Sequence, residues 1–202
     1  MRLLVALIAL SLLALPVYAG TIQEDVAGLN IPEEKLMGLG QTIFTTEGAN
    51  TCSKCHGKEG FGGDQAGAAD LRHPRTWRSY QALGGDEAFN ADKEKFLNDL
   101  ETSVIYLIRN GATKWNFKFS KDHDGIKYDW AKVTIPDKAD KYNNMMKGLT
   151  SGPMKNQVND AKKDLGLQKT SEAQDVAAVA AFMYVKSLDD GSEKGGVFKQ
   201  MQ

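Results

Sequence analysis

The sequence predicts an all-α chain. Apolar residues recur at helical spacing over residues 32–44, 92–110 and 171–188, and no stretch reads as a βαβ unit. Between the first two stripes lies a C-x-x-C-H motif at residues 52–56. Between the second and third lies an irregular, aromatic-rich stretch over residues 112–170. The length, 202 residues, suits one domain carrying a sizeable insertion.

The chain opens with a targeting pattern. Met1 and Arg2 give a positive end, residues 3–16 are an apolar run, and Val17-Tyr18-Ala19 places small residues three and one positions before a cut. This predicts a signal peptide over residues 1–19 and a mature domain over residues 20–202, outside the cytoplasm in a periplasmic or equivalent compartment. The apolar run is shorter than the roughly 20 residues a spanning helix needs, so no stable membrane span is expected after cleavage. Formal charge is −1, and loss of Arg2, the only charge in residues 1–19, takes the mature chain to −2. Near-neutral charge argues against nucleic acid or an anionic membrane surface as a partner.

After a polar leader over residues 21–30, Ile31-Pro32-Glu33-Glu34 signals a helix start, with proline and acids in the first turn. Leu36, Leu39, Ile43 and Phe44 fall on one face, and Gly40 shares it. Glycine in a helix is unfavourable by roughly 1 kcal/mol relative to alanine, so either something approaches the backbone closely there or the position is simply tolerated. Residues 47–50 then break the helix ahead of the motif.

Thr51-Cys52-Ser53-Lys54-Cys55-His56-Gly57 carries the chemistry of the chain. C-x-x-C-H is the signature of covalent haem c attachment. Each thiol forms a thioether with one former vinyl group, and His56 is placed to ligate the iron as the proximal axial ligand. Cys52 and Cys55 are the only cysteines, so no thiol remains for a disulfide framework. A structural zinc site needs a second ligand cluster, and a thioredoxin-like pair needs a strand-to-helix junction; the sequence offers neither.

Residues 57–67 read as a glycine-rich loop without the lysine and hydroxyl that end a phosphate-binding loop. Arg72, Arg75 and Arg78 with Trp77 suit either haem propionates or a solvated basic loop anchored by one aromatic. The second helix, 92–110, carries Phe96, Leu97, Leu100, Val104, Leu107 and Ile108 and stops at Asn110-Gly111. In the insertion, Asp122-His123-Asp124-Gly125 lacks the closing ligands of a calcium loop and reads as a turn. The third helix, 171–188, is capped by Thr170 or Ser171 and turns Val176, Val179, Ala180, Met183 and Tyr184 one way. Its alanines admit a close neighbour, with Gly40 the natural partner, and the polar tail after Asp189 is expected to fray.

Taken in order, the Gly40/Phe44 helix, C-x-x-C-H-G, a helix ending Ile108-Arg109-Asn110-Gly111 and a helix ending Tyr184-Val185-Lys186-Ser187-Leu188 resemble class I (mono-haem) c-type cytochromes. The resemblance covers about residues 32–111 and 171–188. It implies a cytochrome c-like fold around one covalent haem, with Gly40, Phe44 and Tyr184 where the first and last helices cross. The chain departs from the family over residues 112–170, an enlarged loop without the Met-Pro ligand segment of compact members. The resemblance places the sixth ligand in that region. Met154, after a Gly-Pro turn, is the first candidate and Met146 the alternative, with Met145, His123 and His73 behind them. The implied function is single-electron transfer between redox partner proteins, not enzymatic turnover. Alternatives are the electron-accepting subunit of an oxidoreductase complex, an enzyme with an open sixth haem position, or a self-associating module that docks through the aromatic insertion.

Overall fold

The computed structural model describes residues 21–48, 51–62, 68–111, 126, 128–129, 149, 153–193 and 195–201. Among the described residues there are eight α-helices and no strand, in agreement with the all-α expectation. None of the described helices is long and apolar enough to cross a membrane. The expected signal peptide and most of residues 112–152 lie outside the described residues.

The stretch expected to be a polar leader contains a helix, α1 (Ile22–Ala27). Thr21 and Glu24 form a reciprocal capping box, which satisfies two N-terminal donors. Val26 is buried, and Gln23 Nε2 donates to the buried Thr102 hydroxyl at 2.8 Å. α2 (Glu33–Thr45) begins after Pro32, whose carbonyl accepts the first helical bonds from Lys35 and Leu36. Its buried face is Leu36, Gly40, Ile43 and Phe44, close to the sequence expectation. α3 (Cys52–His56) is a single short turn of helix holding the motif.

A 3-10 turn at Pro74–Thr76 leads into α4 (Arg78–Ala82) and α5 (Gly85–Ala91). α6 (Lys93–Asn110) is capped by Asp92, which accepts the Lys95 N–H at 3.0 Å, and ends at Gly111. Its core face includes Phe96, Leu100, Val104 and Ile105, while Leu107 and Ile108 are only half-buried. Tyr80, Phe89 and Phe96 stack edge to face and tilted, with centroids 4.9–6.2 Å apart, and tie α4 and α5 to α6.

The final long helix, α8 (Thr170–Ser187), is the hub. Lys169, not Thr170 or Ser171, is its N-cap residue. From Val176 to Phe182 every residue is buried, so this is a helix covered on all sides rather than on one stripe. Five of those positions across the helix are alanine or valine at 0–1 % exposure, which leaves room for α1, α2, α6 and α7 to pack around it. Antiparallel α6 is fastened by Lys186 on Glu101 at 2.6 Å and by Arg109 on Asp175.

The crossing of α2 and α8 is very close. A Cβ built on Gly40 would lie 2.0 Å from the Ala180 carbonyl oxygen and 3.0 Å from Tyr184 Cβ. One turn on, the Phe44 and Tyr184 rings meet at 5.2 Å. The glycine, the alanine and the aromatic pair therefore sit at the contact the sequence suggested.

Two further expectations need correction. The enlarged loop over 112–170 is not irregular throughout: its end forms α7 (Pro153–Asp164), with Met154, Val158 and Ala161 buried at helical spacing against α8. The tail after Asp189 does not fray. Val197 and Phe198 are buried, with Phe198 between Trp77 at 6.0 Å and Phe182 at 5.8 Å. The Asp189 carboxylate is itself buried and accepts the N–H groups of Gly191, Val197, Phe198 and Lys199 at 2.6–3.1 Å. A buried carboxylate is tolerable because four donors meet it.

Candidate functional site

Cys52 and Cys55 lie three residues apart on α3, and His56 ends that helix. Six residues separate the end of α2 from Cys52, so pinning α2 against α8 also limits where the motif can lie. Cys52 and Cys55 form no disulfide. Burial pushes the Cys52 thiol up to about 11, so it is protonated at neutral pH. A redox-active dithiol needs the opposite, a thiol whose pKa is depressed.

The His56 ring is fixed from behind. Its Nδ1 lies 2.8 Å from the Ala69 carbonyl oxygen. A carbonyl only accepts, so Nδ1 carries the proton and the lone pair is on Nε2. Burial lowers the His56 pKa, against the opposing pull of the Ala69 carbonyl, which keeps the ring neutral. A neutral imidazole oriented through Nδ1–H to a backbone carbonyl is the state in which histidine binds metal through Nε2.

The segment supplying that carbonyl is well held. The His56 carbonyl accepts from the Gly62 N–H at 2.8 Å, and Leu71 N–H donates to the Gly60 carbonyl at 2.7 Å. The Trp77 indole donates to the Asp70 carbonyl at 3.0 Å, and Trp77 is buried, so it is the anchoring aromatic of this stretch. The arginines are not a solvated basic loop. Arg72 pairs with Asp70 at 3.1 Å and stacks on the Phe61 ring at 3.5 Å. Arg75 donates to Asp86 at 2.9 Å and to the Glu193 carbonyl at 2.9 Å. Arg78 is partly buried, and that burial lowers its pKa.

His73 is removed from the candidates for a sixth ligand. Its Nδ1 lies 3.0 Å from Asp70 Oδ2 and its Nε2 lies 2.6 Å from Asp190 Oδ2, so both ring nitrogens are occupied. Met154 is not on a turn; it is the second residue of α7 and only 3 % exposed within the main core. Its neighbour Pro153 abuts Gly48, a few residues before the motif. Met145, Met146 and His123 lie outside the described residues. Among the described residues no three His, Cys, Asp or Glu side chains converge as a metal cage.

Sequence reasoning missed Ala69 and Asp190. Ala69 acts through its backbone, which no residue type advertises, and Asp190 meets His73 across 117 positions of chain. No known protein family, curated protein or solved structure matches the chain.

Proposed function

We propose that the chain is an exported mono-haem c-type cytochrome that carries single electrons between redox partner proteins. The observation that carries this reading is the His56 bond to Ala69 inside a C-x-x-C-H motif. The sequence supplies two thiols and an imidazole at the spacing of covalent haem attachment, and the ring already has the tautomer that presents Nε2.

The residues fit the group. Cys52 and Cys55 would hold the haem as thioethers, and His56 would ligate its iron. When bound, the haem supplies a one-electron couple at its iron. The chain's own work is then to hold His56 in one orientation and to keep its proton on Nδ1. Closure of α2 on α8 through Gly40, Phe44 and Tyr184 supports the cytochrome c-like reading, because the resemblance assigns those residues to the same crossing.

For the sixth ligand we propose Met154, with Met146 as the alternative. Met154 is buried, and its backbone is held between Pro153 at the start of α7 and the helix that follows. A soft thioether ligand favours a high reduction potential.

Intact mass is the direct test. The mature chain from Gly20 should carry one haem that survives denaturation, and a pyridine haemochrome should show two thioethers. A haem-free mass with a Cys52–Cys55 disulfide overturns the proposal. The ferric protein should show a weak absorption band at the red end of the spectrum. Met154→Ala should abolish it and open the iron to cyanide, while Met146→Ala should leave it in place; the reverse result assigns Met146.

A further inference from the structure

The C-terminal segment after α8 does more than cover the core. It closes on the loop that orients His56, and one of its links is an imidazole. We propose that His73, clamped between Asp70 and Asp190, is a positioning residue through which the C-terminal segment fixes the Ala69 carbonyl that receives the His56 proton.

His73 meets Asp70 Oδ2 at 3.0 Å through Nδ1 and Asp190 Oδ2 at 2.6 Å through Nε2. An ionised carboxylate only accepts, so a ring N–H donates wherever one faces it. The ring therefore bridges two carboxylates and links Asp70 directly to Asp190.

On one side the clamp grips the residue next to Ala69. Asp70 also accepts from the Arg72 N–H at 3.0 Å and from Arg72 Nη2 at 3.1 Å, and its own carbonyl takes the Trp77 indole. With its side chain and carbonyl both held, Asp70 restricts rotation of the Ala69–Asp70 peptide, the unit whose oxygen faces His56. On the other side the clamp grips the tail. The Asp190 N–H donates to the Arg72 carbonyl at 3.2 Å, and Asp190 Oδ1 accepts the Ser192 N–H at 2.8 Å. The contacts with Ser192 lower the Asp190 pKa; burial opposes them, and the contact with His73 adds a lesser lowering. Gly195 packs closely against His73: a Cβ there would come within 2.2 Å of His73 Cδ2. Asp190 and Gly195 thus both meet His73, and the turn anchored by buried Asp189 holds them there.

The effect on the iron rests on the function proposed above. A firm Nδ1–H···O=C bond makes an imidazole a stronger donor, which favours the ferric state. Loosening the clamp therefore raises the potential.

Asp190→Ala tests this, because Asp190 is at the surface and outside the core. In the reduced protein, solvent exchange of the His56 Nδ1–H should quicken about tenfold, the factor for each 1.4 kcal/mol of weakened closure. The reduction potential should shift upward, and Asp190→Glu should restore both. His73→Phe, which keeps a flat ring but no donor, should match Asp190→Ala. If His56 exchange and the potential stay at wild-type values while the Val197 and Phe198 amides exchange faster, the clamp serves only the tail and the proposal is wrong. No change in any of the three readouts overturns it as well. If the isolated chain carries no haem by mass, the function proposed above fails, and the His56 exchange measured on that chain decides the clamp by itself.

Discussion

Adding one methyl group at Gly40 should separate the two helices that organise the fold. In Gly40→Ala the new Cβ would start 2.0 Å from the Ala180 carbonyl oxygen, 2.7 Å from its carbon and 3.0 Å from Tyr184 Cβ. Two of those three atoms are backbone inside the buried stretch of α8, so no side-chain rotation relieves the clash. Restoring a separation of about 3.5 Å needs a retreat of roughly 1.5 Å by α2. That retreat would also loosen the Phe44–Tyr184 contact, now at 5.2 Å. Overpacking in a tight core costs about 1–3 kcal/mol, and a backbone clash belongs at the upper end. The gain in helix propensity, about 1 kcal/mol, offsets only part of it. The net loss of about 2 kcal/mol corresponds to a melting temperature about 4–8 °C lower for a chain of this size. Gly38→Ala is the control. Gly38 lies on the same helix, exposed, with nothing within 4 Å of its added Cβ, so it should gain up to about 1 kcal/mol. Thermal unfolding followed by circular dichroism reads both. Two variants shifting in the same direction would refute the close crossing.

Asp189→Asn should destabilise the chain by about 2 kcal/mol, since an amide cannot accept from four converging N–H groups as a carboxylate does. Limited proteolysis should cut within residues 191–201 while the helical signal stays, and a protected tail would argue against the Asp189 anchor. The Asp86 carboxyl pKa is lowered from its ordinary value, chiefly by the Tyr80 hydroxyl; burial opposes this and Arg75 adds a lesser lowering. Its folded-state pKa is depressed, so its contribution is present above the ordinary carboxylate pKa and is lost as pH falls through the native value. Tyr80→Phe should lose stability at neutral pH relative to wild type, with the gap closing in acid; a gap independent of pH would place the effect in packing alone.

Helices with signals inside their own span were legible, and structure made by distant partners was not. α6 announces itself through Asp92 at one end and Gly111 at the other, and both ends fall where the sequence suggested. α2 carries a four-residue stripe with a glycine that makes sense only against a neighbour. α1 has one buried residue, so periodicity was silent; the usable signal was Thr21 followed three positions later by Glu24. α7 shows Met154, Val158 and Ala161 at proper spacing, but lysine, asparagine and aspartate between them made the stretch read as loop. Nothing local marks the tail as folded, because its anchor is a carboxylate collecting amides eight to ten positions away.

The same distinction runs through the candidate site. Cys52, Cys55 and His56 are chemistry written in residue types, whereas the orientation of His56 depends on a backbone carbonyl thirteen positions on. That carbonyl is supported by Asp70, and Asp70 by an imidazole that also answers to Asp190. From the other direction, Cys52 follows α2, which is pinned by Ala180 and Tyr184 of α8. Both supports of the motif therefore originate in residues 170–201, the helix from before it and the tail from behind it. Disturbance of α8 and disturbance of the tail should be separable at His56. The first displaces the whole motif with α2, and the second leaves α3 in place but releases the ring. A histidine that must keep one proton on Nδ1 and one lone pair on Nε2 is more sensitive to the second, because a rotation of the Ala69 peptide removes its acceptor without moving a helix.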